Sequence, residues 1–154
     1  MNKTIVTILT GLMLVLSPTV GSHTDMYLDT VKALHGGQLR MAGPYHLELV
    51  ANDKEIALYV TDHADNEINT SGGLGKATIQ INNANISIKL EPAGENSLTG
   101  TGTFLVKPET VIVVFIKLPE QEAQAARFAP FKPRASAVSA QTQENGALIG
   151  DHHH

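Results

Sequence analysis

The sequence contains no cysteine and no tryptophan, and only 5% of its 154 residues are aromatic. The absence of cysteine excludes disulfide bonds, a lipidated amino-terminal cysteine and thiolate ligands to a metal. Any transition-metal site would therefore depend on histidine, carboxylate or methionine side chains. The shortage of aromatic residues means that a hydrophobic core must be mostly aliphatic.

The sequence also lacks basic runs interleaved with aromatic residues, and its formal net charge is −4. Nucleic acid is therefore not an expected partner. No Gly-x-Ser-x-Gly motif is present. The glycine-rich stretch SGGLGKAT departs from a phosphate-binding loop because Gly75 and Lys76 are followed by alanine. No catalytic residues are predicted, and we expect a protein that is not an enzyme.

The amino terminus has the three-part layout of a secretory signal peptide. Lys3 precedes an uncharged, mostly apolar run from Thr4 to Leu16, which Ser17, Pro18 and then small residues follow. The run is shorter than the roughly 20 residues that a membrane span needs. We predict that residues 1–22 are a cleaved signal peptide and that the exported protein keeps no stable membrane anchor. The competing interpretations are a buried core helix and an uncleaved anchor.

The rest of the sequence predicts mainly β-strands. Residues 23–33 form a mixed lead segment, and a short helical turn is expected at residues 27–34, closed by Gly36. From Pro44 onward, apolar and polar residues alternate with the period of a strand. Asn82 and Asn83 predict a tight hairpin turn because asparagine tolerates positive φ. Strands are predicted at YHLELVA, EIALYVTD, GKATIQI, ANISIKL, TVIVVFIKL and AARFAPF, and EPAGENSLTGTGTFLV could add two short ones.

This strand spacing predicts an all-β fold, either a small antiparallel β-sandwich of the immunoglobulin-like type or a partly open barrel. The predicted domain spans residues 34–131. Residues 132–154 show no periodicity and few large apolar side chains, so a disordered tail is expected there. The tail ends in His152, His153 and His154, which could bind metal loosely as a native feature or could be the remnant of a purification tag.

Two neighbouring strands, YHLELVA and EIALYVTD, predict a β-hairpin that turns around Asp53. Burial of the apolar residues favours the register that puts Leu47 opposite Val60 and Leu49 opposite Leu58. A slip by one residue would place both leucines against polar residues. The other face of the hairpin therefore carries its polar side chains.

On that polar face, His46 and His63 become diagonal neighbours, close enough to share one metal ion. Glu48 lies on the same face, and the two glycines after His35 would let that histidine fold over the pair as a third ligand. Met41 could add a thioether. Histidine suits zinc, copper, nickel or cobalt, and a thioether favours copper. The competing interpretation is a solvated strand face without metal.

Three segments resemble small exported β-domains found with heavy-metal efflux systems of Gram-negative bacteria: HGGQLRMAGPYHLELV, ALYVTDHADNEINTSGGLGKATI and LEPAGENSLTGTGTF. Similar segments occur in short periplasmic proteins and near the amino terminus of the periplasmic adaptor subunits of heavy-metal pumps. The resemblance covers roughly residues 34–130. It implies a periplasmic location and a role in metal binding or delivery, with His35, His46, His63 and Glu48 at the corresponding positions.

Two features differ from the pump adaptors. The chain has neither their coiled-coil hairpin nor their lipoyl-like segments, and it has no methionine-rich tract. We therefore expect a periplasmic protein that buffers a transition-metal ion, copper or zinc above all, or delivers it to the periplasmic subunits of an efflux pump. The competing hypothesis is a non-catalytic interaction or structural module that binds no metal.

Overall fold

Residues 21–132 are described by a computed structural model of the chain. They contain one helix and eight strands: α1 Gly21–Leu28, β1 Gln38–Ala42, β2 Tyr45–Asn52, β3 Glu55–Asp62, β4 Leu74–Ile81, β5 Ala84–Pro92, β6 Ser97–Thr101, β7 Val111–Lys117 and β8 Gln124–Phe128. Within this part of the chain, no helix has the length and apolar character needed to span a bilayer. The predictions for residues 1–20, for the tail from residue 133 and for its three terminal histidines lie outside the described residues.

All eight strands belong to one antiparallel sheet, in the order β1-β2-β3-β6-β5-β4-β7-β8. The sheet curls until its edge strands β1 and β8 lie side by side, which makes a nearly closed barrel. The described residues form no backbone ladder across this seam. Instead, the Gln38 side-chain oxygen accepts a hydrogen bond from the Ala129 N–H at 2.8 Å. The all-β prediction is confirmed, and of the two predicted architectures the chain adopts the partly open barrel.

The barrel interior is filled by alternate strand residues, whose side chains point inward. Leu47 and Leu49 of β2 and Leu58 and Val60 of β3 are fully buried. The other strands contribute mostly aliphatic side chains to the same core, including Ile79, Leu90, Leu98, Ile112 and Ile116, together with Phe128. Full burial of one such side chain contributes about 1.5–3 kcal/mol. The predicted aliphatic core therefore holds the fold without disulfide bonds.

Two tight turns set the registers of their hairpins. Asn82 and Asn83 join β4 to β5 with φ values of 45° and 62°, so the predicted two-residue turn is confirmed. Asp53 and Lys54 join β2 to β3, and Lys54 has a φ of 74°. Because so short a loop leaves no room for slippage, the β2–β3 hairpin has the predicted register at every pair.

The amino-terminal part of the described chain differs from the sequence prediction. The helix spans Gly21–Leu28 and so precedes most of the helical turn expected at residues 27–34. After it, the N–H groups of Thr30 and Val31 bond three residues back, to Tyr27 and Leu28, which tightens and ends the helix. Strand β1 has no counterpart among the predicted strands, and only β6 forms in the stretch where two short strands were considered.

Strand β1 pairs with β2 along one edge, and helix α1 and the turn after it add contacts to β1. The Arg40 guanidinium lies 2.7 Å from the Asp29 carboxylate, and the Met41 N–H donates to the Asp25 carboxylate at 3.3 Å. These contacts provide bonding partners for polar groups that an edge strand would otherwise leave unpaired.

Candidate metal site

The outer face of β1, β2 and β3 carries the residues of the predicted site. In the ladder, Met41 of β1 lies opposite His46 of β2, which in turn lies opposite Thr61 of β3. The next outward-facing pair along the hairpin is Glu48 and Tyr59. Two rows of side chains therefore cross this face next to each other.

His46 and His63 form a stacked pair of rings, which we call the imidazole pair. Their ring centroids are 4.9 Å apart and the ring planes are inclined by 15°. The Nε2 atom of His63 lies 3.1 Å from the Gly43 carbonyl oxygen. A carbonyl oxygen can only accept, so Nε2 donates, and in the neutral ring Nδ1 then keeps its lone pair. The structure thus brings together, on one face, the two histidines that the predicted register places there.

A carboxylate that the sequence interpretation missed, that of Asp65, adjoins the imidazole pair. Its Oδ1 lies 3.5 Å from the His46 Nδ1, and its side chain is 83% exposed whereas that of His46 is 16% exposed. Asp65 has a φ of 63°, a conformation that aspartate tolerates better than most residues. The turn-forming composition of DHADN predicts a loop here, but it does not reveal that the loop carries a carboxylate back to His46.

The loop of residues 62–66 is held together by the Asp62 carboxylate. It accepts hydrogen bonds from the backbone N–H groups of Ala64 and Asn66 at 2.8 and 2.9 Å, and from the Asn66 side chain at 2.9 Å. These bonds, led by that of the Asn66 side chain, lower the pKa of Asp62 below its ordinary value. The loop therefore positions His63 and Asp65 while it leaves both side chains exposed.

His35 and Glu48 contact each other instead of the imidazole pair. Glu48 is only 5% exposed, and its carboxylate accepts bonds from the backbone N–H groups of His35 and Gly37 at 2.8 and 3.0 Å. The His35 Nδ1–H donates to the same carboxylate at 2.9 Å. The His35 ring stacks on Tyr59 with centroids 3.5 Å apart and planes inclined by 2°. We call this group of four residues the glutamate clamp.

The two glycines after His35 explain why the clamp forms. Gly36 has a φ of 73°, which allows the chain to reverse. Gly37 passes so close to β2 that a Cβ there would overlap the Leu49 carbonyl oxygen. The His-Gly-Gly sequence therefore returns the chain onto Glu48. The Glu48 carboxylate cannot serve an ion at the imidazole pair without breaking the clamp, whereas His35 uses only its Nδ1–H in these bonds.

The imidazole pair is not arranged as a ready-made chelate. The lone pairs of an imidazole lie in the ring plane, and the planes of stacked rings are nearly parallel, so the nitrogens of His46 and His63 do not converge on one point. Among residues 21–132, no group of three or more histidine, cysteine, aspartate or glutamate side chains is placed to hold a metal ion. Metal binding at the pair would require at least one ring to rotate.

Comparison of the chain with protein-family models, with curated proteins and with solved structures gave no match. No family is therefore assigned, and the link to heavy-metal efflux stays a prediction. The functional interpretation depends on the geometry of the imidazole pair and its surroundings.

Proposed function

We propose that the protein binds one transition-metal ion at the imidazole pair and holds it for exchange. The observation that carries this proposal is the position of the His46 and His63 rings, 4.9 Å apart on one outer face, with the Asp65 carboxylate 3.5 Å from His46. Two imidazoles and a carboxylate are donors that suit zinc, copper, nickel and cobalt. No reaction chemistry is proposed.

Binding would convert the stacked rings into a chelating arrangement. The torsion that turns an imidazole about its Cβ–Cγ bond is soft, and His63 is exposed, so its ring can turn away from the Gly43 carbonyl. Asp65, in the same loop, is exposed and can approach the ion. These three donors leave at least one coordination position of a tetrahedral ion open to water or to another protein.

The choice of metal would depend on Met41. It lies opposite His46 on the same face, and directly opposite residues have Cβ atoms about 4.5–5.5 Å apart. A thioether added to the two imidazoles would favour copper, especially Cu(I), whereas the imidazoles with Asp65 alone suit zinc. Glu67 pairs with Thr61 at the other end of this row, and its negative charge would favour a divalent ion.

The proposed biological role is to buffer the ion or to deliver it to the periplasmic subunits of a heavy-metal efflux pump. An exposed site with few protein ligands suits delivery, because an acceptor can complete the coordination sphere while the donor still holds the ion. The pump and the periplasmic location come from the resemblance of the three sequence segments and from the predicted signal peptide.

Isothermal titration calorimetry with Zn²⁺, Ni²⁺ and Co²⁺, and with Cu⁺ under anaerobic conditions, tests the proposal. The reference protein should carry alanine at His152, His153 and His154, so that the terminal histidines cannot mask the result. We expect one ion per chain, which the double variant His46→Ala/His63→Ala should lose. Asp65→Asn should weaken binding by roughly tenfold or more, since supporting groups at metal sites typically contribute that much.

His35→Ala is the matched control, because it removes a histidine from the same sheet face but not from the imidazole pair. It should leave the stoichiometry unchanged. A one-ion site that persists in the double variant would contradict the proposal. Failure of the folded reference protein to bind any of the four metals would contradict it as well, and would favour the interaction module without metal.

A further inference from the structure

The outer face of β5, β4, β7 and β8 concentrates positive charge around an exposed aromatic ring. In the ladder, Phe115 of β7 lies between Lys76 of β4 and Ala125 of β8. Alternate residues of a strand point to the same face, so the cations two positions away on β7 and β8 and the lysine opposite Lys76 on β5 share this surface with Phe115. We call it the basic face; its cations are Lys76, Lys89, Lys117 and Arg127.

Most of these cations are not neutralised by a carboxylate. Within the described chain, the side chains of Lys76 and Arg127 form no ion pair. The Lys117 ammonium group donates to the backbone carbonyl oxygens of Leu118 and Gln121, which leaves its charge unbalanced.

Acidic residues occupy the margins of the basic face. Glu91 is the single acid among the outward-facing residues of its four strands, and it pairs with Lys89. Glu120 and Glu122 belong to the β7–β8 turn, beyond the ends of those strands. The strands of this face therefore carry a surplus of positive charge on a protein whose formal net charge is −4.

Two large apolar side chains project between the cations. Phe115 is 50% exposed and Leu74 is 62% exposed. The alanine beside Phe115 is too short to cover its ring, and Leu74 has Lys117 as its partner on β7. Apolar side chains surrounded by lysine and arginine are typical of surfaces that lie in the interface of an anionic membrane.

The shape and charge of the basic face favour a lipid surface over other anionic partners. The sheet curls into a barrel, so its outer face is convex and offers no groove to an acidic peptide. A second copy of the chain, related by a two-fold axis through this face, would place like charges against each other. An anionic bilayer supplies negative charge to the cations and an apolar layer to Phe115 and Leu74 at once.

We propose that the basic face binds the surface of an anionic phospholipid bilayer, with the Phe115 ring inserted below the headgroups and the four cations at their level. In the strand order, β4 and β7 lie on the side of the barrel opposite β2 and β3. A protein bound in this way would keep the imidazole pair turned away from the bilayer. Membrane binding does not depend on metal binding.

A fluorescence reporter tests the proposal on the full chain. The sequence contains no tryptophan, so Phe115→Trp introduces a single fluorophore at the centre of the basic face. Vesicles of equal parts phosphatidylglycerol and phosphatidylcholine should shift its emission to shorter wavelength, and brominated lipids should quench it. Vesicles of phosphatidylcholine alone should do neither. This local readout separates the basic face from the apolar run of residues 4–16, which would bind vesicles through a different part of the chain.

Charge variants in the Phe115→Trp background test the cations. Lys76→Gln with Arg127→Gln should weaken partitioning by about 25-fold, since each cation near an anionic surface contributes about fivefold. The matched control is Lys32→Gln with Lys54→Gln, which removes the same charge from exposed residues outside the basic face and should weaken partitioning much less.

Leu105→Trp, introduced into the otherwise unchanged chain, is the control for the reporter. Leu105 is 62% exposed but lies in the β6–β7 connection, so its replacement should show a smaller shift than Phe115→Trp. Four results would overturn the proposal: no shift of the Phe115→Trp reporter with anionic vesicles, an equal shift with neutral vesicles, an equal shift of the Leu105→Trp reporter, or equal losses in the two charge variants. Displacement of anionic vesicles by a single-stranded oligonucleotide at lower concentration would overturn it in favour of nucleic acid.

Discussion

The imidazole pair and the glutamate clamp lie on the same face of one hairpin, with His46 and Glu48 two residues apart on β2, yet they are held in different ways. In the clamp, a buried carboxylate receives three hydrogen bonds and the His35 ring is covered by Tyr59. In the pair, the rings contact each other, one carbonyl oxygen and one exposed carboxylate. The carboxylate of the clamp is buried and receives three hydrogen bonds, whereas the carboxylate beside the pair is exposed.

The difference shows that residue type alone does not separate a structural histidine from a candidate ligand. His35 and His46 are both near a carboxylate, but Glu48 is buried and Asp65 is not. A buried carboxylate needs hydrogen-bond donors to remain charged, so the Nδ1–H of its histidine contributes to the fold. An exposed carboxylate is solvated, so its histidine can exchange partners.

The largest expected effect is that of Glu48→Ala, which removes the centre of the clamp. It removes the carboxylate that accepts from the His35 and Gly37 N–H groups and from the His35 ring. It should lower the free energy of unfolding by about 3–5 kcal/mol, since each hydrogen bond to a charged group contributes about 1.5–3 kcal/mol. Urea unfolding followed by circular dichroism measures this. Glu67→Ala, which removes an exposed carboxylate, is the control and should change the free energy of unfolding little. A loss below about 1 kcal/mol for Glu48→Ala would show that the clamp is not structural.

The next effect tests the close approach of Gly37 to β2. Gly37→Ala should lower the free energy of unfolding by about 3 kcal/mol, because the added Cβ meets a backbone carbonyl that cannot move aside easily. At the neighbouring Gly36 there is open space but a positive φ, so Gly36→Ala should cost only about 1 kcal/mol of backbone strain. Equal losses in the two variants would contradict the steric explanation.

A third comparison separates the histidines by their contribution to stability. His35→Ala removes a hydrogen bond to a buried charge and should cost about 2 kcal/mol. The double variant His46→Ala/His63→Ala removes a partly exposed ring contact and should cost less than about 1.5 kcal/mol, although it is the one expected to lose the metal. Thermal unfolding of both variants without metal measures which of them loses more stability. A larger loss in the double variant than in His35→Ala would contradict the difference drawn between the clamp and the imidazole pair.

The smallest effect concerns pH and the loop that carries His63 and Asp65. Because the folded pKa of Asp62 is lowered, its stabilising contribution is present above the pKa of about 3.9 in the unfolded chain and is lost as pH falls through the folded pKa. Asn66→Ala should raise the pKa of Asp62 toward its ordinary value, which NMR titration of the Asp62 carboxyl measures. Asn69→Ala, outside the loop, should leave it unchanged. An unaltered pKa in Asn66→Ala would exclude the Asn66 side chain as its main cause.

Much of the barrel could be predicted because its signals are local. Strand β3 was predicted at its observed bounds from the alternation in EIALYVTD, and the register of the β2–β3 hairpin followed from the need to bury Leu47 and Leu49 together. Strand β1 was not predicted, because its inward-facing residues are Gln38, Arg40 and Ala42, so QLRMA shows no buried apolar face. The choice between sandwich and barrel was likewise open, because the same alternating strands suit both.

The candidate site was predictable only in part, for a related reason. The register placed His46 and His63 on one face, because side-chain direction along a strand follows from position alone. It did not reveal that the rings would stack, nor that Asp65 would reach His46. The two glycines after His35 favoured that histidine as a third ligand, and the chain turns it onto Glu48 and Tyr59.

The sequence by itself determined the strand pattern, the aliphatic core, the asparagine turn and the pairing of β2 with β3, because these follow from steric and burial preferences that act within a few residues. The tertiary structure alone decided how the sheet closes and which carboxylates His35 and His46 meet. These features depend on contacts between residues far apart in the chain. Differences of one or two ångströms in position decide whether a donor and an acceptor are within hydrogen-bond distance.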